Sequence, residues 1–388
     1  MFNFDFYNPT RIFFGKDRLD NIDKCVPAHA KVLITFGGGS AKKSGLIDKV
    51  KTNLGNRKVY EFGGIEPNPH YETLMKAVEV VRGENIDFIL AVGGGSVIDG
   101  TKFIALATHY KGDARDLLKF GFTQITAKVV EKVVPLGVVL TLPATGSEMN
   151  SGAVISYEHG KFPVMSEMAF PVFSILDPTV TFTLPKIQVA NGVVDAFVHT
   201  TEQYLTFPVD ARIQDRMAEG ILQTLIEIGA TTVAKPENYD ARANLVWSAT
   251  MALNGLIGVG VPQDWATHMI GHELTALFGI DHGQTLAIIC PSVLHVQRQQ
   301  KHAKLLQYAE RVWHITHGSD EEKIDLAIQK TREFFENLGI KTRLSQYGVT
   351  ADKIPVVVEQ LKVHGLTALS ETQDITLEVS QKILENAL

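Results

Sequence analysis

The sequence predicts an α/β N-terminal domain, residues 1–184, joined to an all-α C-terminal domain, residues 185–388. Three observations carry that reading. Short apolar runs that end in Gly, Pro or Asp alternate with helical periodicity through the first half. The alternation stops near Leu184, and long 3.6-residue patterns follow. The chain, at 388 residues, is long enough to build two cores.

The predicted strands are Lys31–Phe36, Lys58–Phe62, Phe88–Val92, Leu136–Thr141 and Phe173–Leu176. Between them, Tyr71, Leu74, Ala77, Val78 and Val81 share one helix face. Apolar strands alternating with helices imply a mostly parallel sheet covered on both sides. The opening segment differs. Phe2, Phe4 and Phe6 alternate with polar residues, and Ile12 to Phe14 is apolar again. This reads as an edge strand, packed on its own domain or paired with a second subunit. The boundary falls at Thr183–Lys186, where Leu-Pro-Lys breaks the pattern. Beyond it, helices are expected at Val189–Leu205, Ala211–Ile228, Arg242–Ile257, Trp265–Leu277, Ala303–Trp313 and Ile324–Leu338.

Composition excludes several classes. A net charge of −6 offers no basic excess for nucleic acid or an anionic membrane. Cys25 and Cys290 are the two cysteines and form no C-x-x-C, so reduced thiols in a cytoplasmic protein are expected. The start lacks a basic n-region with an apolar h-region, and no run of about 18 apolar residues occurs, so neither a signal peptide nor a membrane span is expected.

Two glycine turns follow strands. Phe88–Val92 runs into Gly93-Gly94-Gly95-Ser96, then Val97-Ile98-Asp99-Gly100-Thr101-Lys102 and a helical stretch. Glycine lets backbone approach a ligand, and a helix start offers free N–H groups and a positive dipole end, which together make a phosphate site. A plain tight turn is the alternative. The pattern departs from G-x-G-x-x-G, so an ordinary Rossmann assignment is loose. Lys102 is either a solvated helix lysine or a group reaching for anionic ligand atoms. The second turn, Gly37-Gly38-Gly39-Ser40, precedes Lys42 and Lys43. NAD-binding folds place an acid after such a strand to hold the ribose 2′-hydroxyl. Here there is none, so the turn admits a 2′-phosphate and NADP(H) is expected over NAD(H). A third segment, Thr141-Leu-Pro-Ala-Thr145-Gly146-Ser147-Glu148, suits ligand contact at a strand's carboxyl end, or is a capped turn.

Asp195 and His199 stand four apart in a helical stretch, and His268 and His272 repeat the spacing, with His282 following. Residues four apart on a helix share a face. Such histidines are either satisfied core residues or, with the carboxylate, ligands for Zn²⁺ or Fe²⁺. His268-x-x-x-His272-Glu273 is not H-E-x-x-H, which disfavours a zinc protease.

In chain order, Gly93-Gly-Gly-Ser96-x-x-Asp99-x-x-Lys102, Thr141-x-x-x-Thr145-Gly-Ser-Glu148, Asp195-x-x-x-His199 and His268-x-x-x-His272-x₉-His282 together resemble the iron-containing (group III) alcohol dehydrogenases. The segments at 63–69, 190–199 and 261–268 are similar to those of the subgroup of bacterial NADPH-dependent aldehyde reductases and butanol dehydrogenases. The resemblance implies a dehydroquinate synthase-like fold, with a nucleotide-binding α/β domain, a helical domain and an active site in the cleft between them. It implies Asp195, His199, His268 and His282 as metal ligands, with His272 as a nearby non-ligand histidine suited to proton relay. It implies cofactor contacts at Gly94, Gly95 and Ser96 (pyrophosphate), at Asp99 (nicotinamide end), at Thr141, Thr145 and Ser147, at Gly38, Gly39 and Ser40 (adenosine ribose), and at Lys161. The implied activity is metal-dependent, NADP(H)-linked reduction of a small aldehyde to its alcohol, by a homodimer. The family name says iron, the subgroup is associated with zinc, and ligand type does not separate them. Proximity to these motifs places Trp265, Met149, Asn150, Leu253 and Ile257 in the substrate pocket. A polyol dehydrogenase or a dehydroquinate-synthase-like lyase on the same scaffold is the rival. The lyase would need Lys and Arg for an anionic substrate, and few lie around 245–285.

Overall fold

The computed structural model describes all 388 residues. The chain forms two compact units, Tyr7–Thr183 and Leu184–Leu388, and the second also includes Met1–Phe6.

The first unit is α/β. Its strands are β1 (Arg11–Phe14), β2 (Lys31–Phe36), β3 (Lys58–Phe62), β4 (Phe88–Gly93), β5 (Gly121–Gln124), β6 (Leu136–Leu140), β7 (Gly152–Tyr157), β8 (Gly160–Met165) and β9 (Phe173–Leu176). Each of the five predicted strands is present to within one residue. Helices α1 (Asn21–Cys25), α2 (Ser40–Lys43), α3 (Leu46–Leu54), α4 (Tyr71–Glu84) and α5 (Gly95–His109) lie between the first strands. Six strands form one sheet in the order β1-β9-β6-β4-β2-β3, and every pairing in it is parallel. β4 and β6 are buried throughout, as strands covered on both faces must be. After β2 the chain steps outward to β3, then returns to the opposite side of β2 to form β4. The strand order therefore reverses at β2/β4, and in open parallel sheets ligands bind at the carboxyl ends of such a pair. Both glycine turns sit at those two ends.

A second sheet, β5-β8-β7, includes the β7–β8 hairpin. The sequence did not predict it, because Lys161 and Pro163 interrupt its apolar pattern. Residues 1–10 form no strand. Phe2, Phe4 and Phe6 are about half exposed, and Phe2 makes one backbone bond, its N–H donating to the Gly260 carbonyl at 2.9 Å. Alternation marks a face, but a strand also needs an edge to pair with; in this chain β1, which begins at Arg11, occupies the edge beside β9.

The second unit consists of α6 (Lys186–Tyr204), α7 (Arg212–Ala234), α8 (Tyr239–Ala252), α9 (Ala266–Phe278), α10 (His282–Val296), α11 (His302–Arg311), α12 (Asp320–Asn337), α13 (Ile354–Val363) and α14 (Leu377–Asn386), with one two-residue hairpin near the end. α6 is buried from Val189 through Tyr204 and forms the axis of one core. α9 and α10 pack with α13 and α14 in another. α10 was not anticipated because it contains Pro291, a residue that reads as a helix breaker. No helix is long and apolar enough to cross a membrane.

Candidate metal centre and cofactor turns

The helical unit gathers the paired Asp and His residues. Asp195 and His199 face the same way from buried α6, and α9 contributes His268 and His272. His282 is the first residue of α10, and Asn191 of α6 donates to Asp281 just before it, at 3.2 Å. Gly283 makes this approach possible, since a Cβ there would lie 2.7 Å from the Asn191 carbonyl oxygen.

The Nε2 atoms of His199, His268 and His282 stand 3.5, 3.6 and 3.6 Å from one oxygen, Asp195 Oδ1. These distances are too long for good hydrogen bonds. They have the length of the edges that meet at one corner of a tetrahedron whose centre lies about 2.1 Å from each corner, the reach of Zn²⁺ to nitrogen and oxygen. His268 Nε2 is buried with no hydrogen-bond partner, an arrangement that normally incurs a desolvation cost. The ligand atoms of Asp195, His268 and His282 all lie within 4.8 Å of one another. Those three donors fit a divalent ion, and His199, whose Nε2 also approaches Asp195 Oδ1 at 3.5 Å, stands outside this compact group. Burial pushes the His199 pKa down to about 4, against the attraction of Asp195, so at neutral pH its ring keeps the lone pair a metal needs. Burial also opposes charge on His268, but the carboxylates of Glu202 and Asp195 outweigh it and hold that pKa up at about 9.

His272 lies beside this group, its ring 5.2 Å from that of His282 and 6.3 Å from that of His268. Trp265 precedes α9 with a left-handed backbone, φ 65°, an uncommon state for a bulky residue. The turn is tied down by Ala266 N–H donating to Asp264 Oδ1 (3.0 Å) and by the buried ion pair of Asp264 with Lys301 (2.8 Å). This sets the Trp265 ring 5.5 Å from His268 and 6.2 Å from His199. Of the other residues expected to line the substrate pocket, Leu253 and Ile257 belong to this unit, and Met149 and Asn150 to the α/β unit.

Sequence reading missed Glu202. It lies seven residues after Asp195 and three after His199, on the same buried helix face, and that spacing was the available signal. Its Oε2 pairs closely with His268 Nδ1, and its Oε1 accepts the Thr267 N–H at 2.6 Å.

In the α/β unit, the Gly37–Ser40 and Gly93–Ser96 turns meet at the reversal point. Gly37 packs near Val97, just after the Gly93–Ser96 turn, and buried Thr35 and Thr101 share a hydroxyl bond of 2.7 Å. Gly94 precedes α5 and Gly95 begins it. Gly95 has no room for a side chain, because a Cβ would lie 2.5 Å from Thr145. The third segment joins them where Thr141 N–H donates to the Gly93 carbonyl at 3.0 Å. Ser96 Oγ accepts the Asn68 N–H at 3.1 Å, and Asn68 Oδ1 accepts from Lys161 at 2.8 Å, so Lys161 is linked to the Gly93–Ser96 turn. Gly38 and Gly39 face open space, where a Cβ would meet nothing within 4 Å. Asp99 is half-buried, accepting from Ser147 Oγ (2.5 Å) and Val154 N–H (2.9 Å), and its pKa is raised chiefly by loss of solvent around the carboxyl.

Neither of the two readings of Lys102 describes its environment. The side chain is fully buried and donates to Ser147 Oγ, Asn150 Oδ1 and the Gly152 carbonyl at 2.7–2.9 Å, bracing the loop after β6. Lys42 pairs with Glu61 of β3 at 2.9 Å, so what favours a 2′-phosphate at this turn is the missing acid rather than a free Lys42.

Residues 9–178 match the family model described as iron-containing alcohol dehydrogenase, and residues 189–388 its C-terminal counterpart. The chain is 58% identical to the NADPH-dependent aldehyde reductase YqhD of Escherichia coli, with both chains covered in full. It is 40% identical to the NADH-dependent butanol dehydrogenase A of Clostridium acetobutylicum, covering 93% of each. Among solved structures, E. coli YqhD superimposes with a TM-score of 0.97 at 57% identity, over 100% of this chain and 99% of that one. The butanol dehydrogenase A of Thermotoga maritima gives 0.94 at 35% identity over the same shares. With both halves matched and full-length relatives at this identity, the chain belongs to the iron-containing alcohol dehydrogenase family.

Proposed function

We propose that the chain is a metal-dependent, NADP(H)-linked alcohol dehydrogenase that reduces small aldehydes to primary alcohols. The observation that carries this reading is the approach of three imidazole nitrogens to one carboxylate oxygen at 3.5–3.6 Å. Asp195, His199, His268 and His282 hold the divalent ion, zinc or iron. When bound, the ion supplies a Lewis acid for the carbonyl oxygen and NADPH supplies the hydride. The Gly93–Ser96 turn and the start of α5 hold the pyrophosphate on backbone N–H groups. The Gly37–Ser40 turn accepts the adenosine ribose and its 2′-phosphate. His272 delivers the proton that the reduced oxygen must take up, an imidazole being able to act as a general acid. Trp265 keeps water from the reacting centre and offers an apolar wall to the aldehyde.

NADPH as cofactor agrees with the name of the relative at 58% identity, whereas the name of the relative at 40% gives NADH. The turn without an acid decides for NADPH. The test is metal analysis of purified protein, together with NADPH and NADH oxidation against a panel of aldehydes that includes butanal. Substoichiometric metal, absent turnover, or equal kcat/KM with NADH would each overturn part of the reading. The exposed Phe2, Phe4, Phe6 and Tyr7 provide the surface for a homodimer, tested by light scattering. The two free thiols fit a cytoplasmic protein, tested by fractionation.

A further inference from the structure

We infer that Glu202 is a positioning residue that sets metal affinity by fixing which nitrogen of His268 carries the proton. The inference rests on the reading of His268 as a ligand. His268 has two ring nitrogens with different surroundings: Nδ1 faces Glu202 Oε2, and Nε2 is directed at Asp195, 3.6 Å away, with no hydrogen-bond partner. A carboxylate only accepts. It therefore keeps a proton on Nδ1, so that the nitrogen that gives up its proton to the ion is Nε2. Such carboxylate–histidine pairs raise ligand basicity and orient the ring.

Glu202 has a second task. Its Oε1 accepts the N–H of Thr267 at 2.6 Å and, more weakly, that of His268 at 3.4 Å. These are backbone donors in the first turn of α9, which has no side-chain cap of its own at Trp265. One buried carboxylate thus joins α6, which bears Asp195 and His199, to α9, which bears His268.

The two tasks make Glu202→Gln an informative variant. A glutamine keeps one acceptor oxygen and gains an NH₂ group. If its oxygen stays with the Thr267 N–H, its NH₂ faces Nδ1. The ring must then present a lone pair at Nδ1 and carry its proton at Nε2, where the ion binds. If the amide turns over, two donors collide at Thr267, a buried mismatch. Either arrangement weakens the metal. Glu202→Leu removes the cap but imposes no tautomer.

The experiment is Zn²⁺ competition against a chromophoric chelator, with the absorption spectrum of the Co²⁺ form as a second readout, on full-length wild type, Glu202→Gln, Glu202→Leu and His268→Ala. Thermal melts of the metal-free proteins report the cap. Glu202→Gln is expected to bind Zn²⁺ roughly 10- to 100-fold more weakly, at least as weakly as Glu202→Leu, while melting above Glu202→Leu without metal. A merely structural role gives the opposite order, with the conservative glutamine rescuing the metal. Zn²⁺ affinity of Glu202→Gln within about threefold of wild type, with His268→Ala impaired, overturns the inference alone. Unchanged affinity in both variants overturns the metal reading beneath it.

Discussion

Gly95→Ala tests whether the glycine turns are spaced for a ligand. An added Cβ would lie 2.5 Å from both Thr145 Oγ1 and Thr145 Cγ2, and 3.0 Å from Thr145 Cβ. Rotating χ1 of Thr145 moves the first two atoms but not the third, and it breaks the bond Thr145 Oγ1 accepts from Ser147 N–H at 3.2 Å. Restoring an ordinary 3.4 Å contact to the nearest atoms takes about 0.9 Å of separation, so the 145–147 turn and the start of α5 must part. Overpacking of this kind costs about 1–3 kcal/mol. A displacement near 1 Å in a preorganised site costs up to about 100-fold, so NADPH should bind at least tenfold more weakly by fluorescence titration, with the far-UV circular dichroism unchanged. Gly38→Ala is the complement. Its Cβ meets nothing within 4 Å, so the melting temperature should hold while NADPH binding falls, because the methyl group enters the space reserved for the ligand. Wild-type NADPH affinity in Gly95→Ala would refute the assignment of this turn to the cofactor.

Three further outcomes are expected. His272→Ala should keep its metal, measured by elemental analysis, and lose about 10²- to 10⁴-fold in kcat; loss of the ion would make His272 a ligand instead. Gly283→Ala puts a Cβ 2.7–2.8 Å from Asn191 backbone atoms that cannot rotate away; it should destabilise by about 1–3 kcal/mol and weaken Zn²⁺ binding by moving His282, and unchanged chelator competition would count against this packing. Burial pushes Lys102 down to about 8 despite the attraction of Asp99 and Glu148. Between about pH 8 and about pH 10.5 the unfolded chain therefore binds more protons than the folded one, so this group makes stability rise with pH. The wild type should gain about 1.4 kcal/mol per pH unit there over Lys102→Met; a flat difference across that range in urea unfolding would show the shift to be wrong.

The first-half alternation was legible because strands buried on both faces leave continuous apolar runs, as in Phe88–Val92. The β7–β8 hairpin was not, since Lys161 and Pro163 interrupt its apolar pattern. Lys161 reaches Asn68 from 93 residues away. Phe2–Phe6 shows the converse, where alternation was present and residues 1–10 form no strand within this chain.

Helical spacing alone put Asp195 beside His199 and His268 beside His272, because i and i+4 share a face whatever the rest of the chain does. Periodicity within one helix says nothing about its neighbour. That Nε2 atoms from α9 and α10 join His199 beside a single Asp195 oxygen, that Glu202 sits behind His268, and that Lys102 is an internal brace instead of a surface charge were all decided by packing. Those contacts join residues between 45 and 87 positions apart. Only the closing of helix on helix and strand on strand brings them within reach.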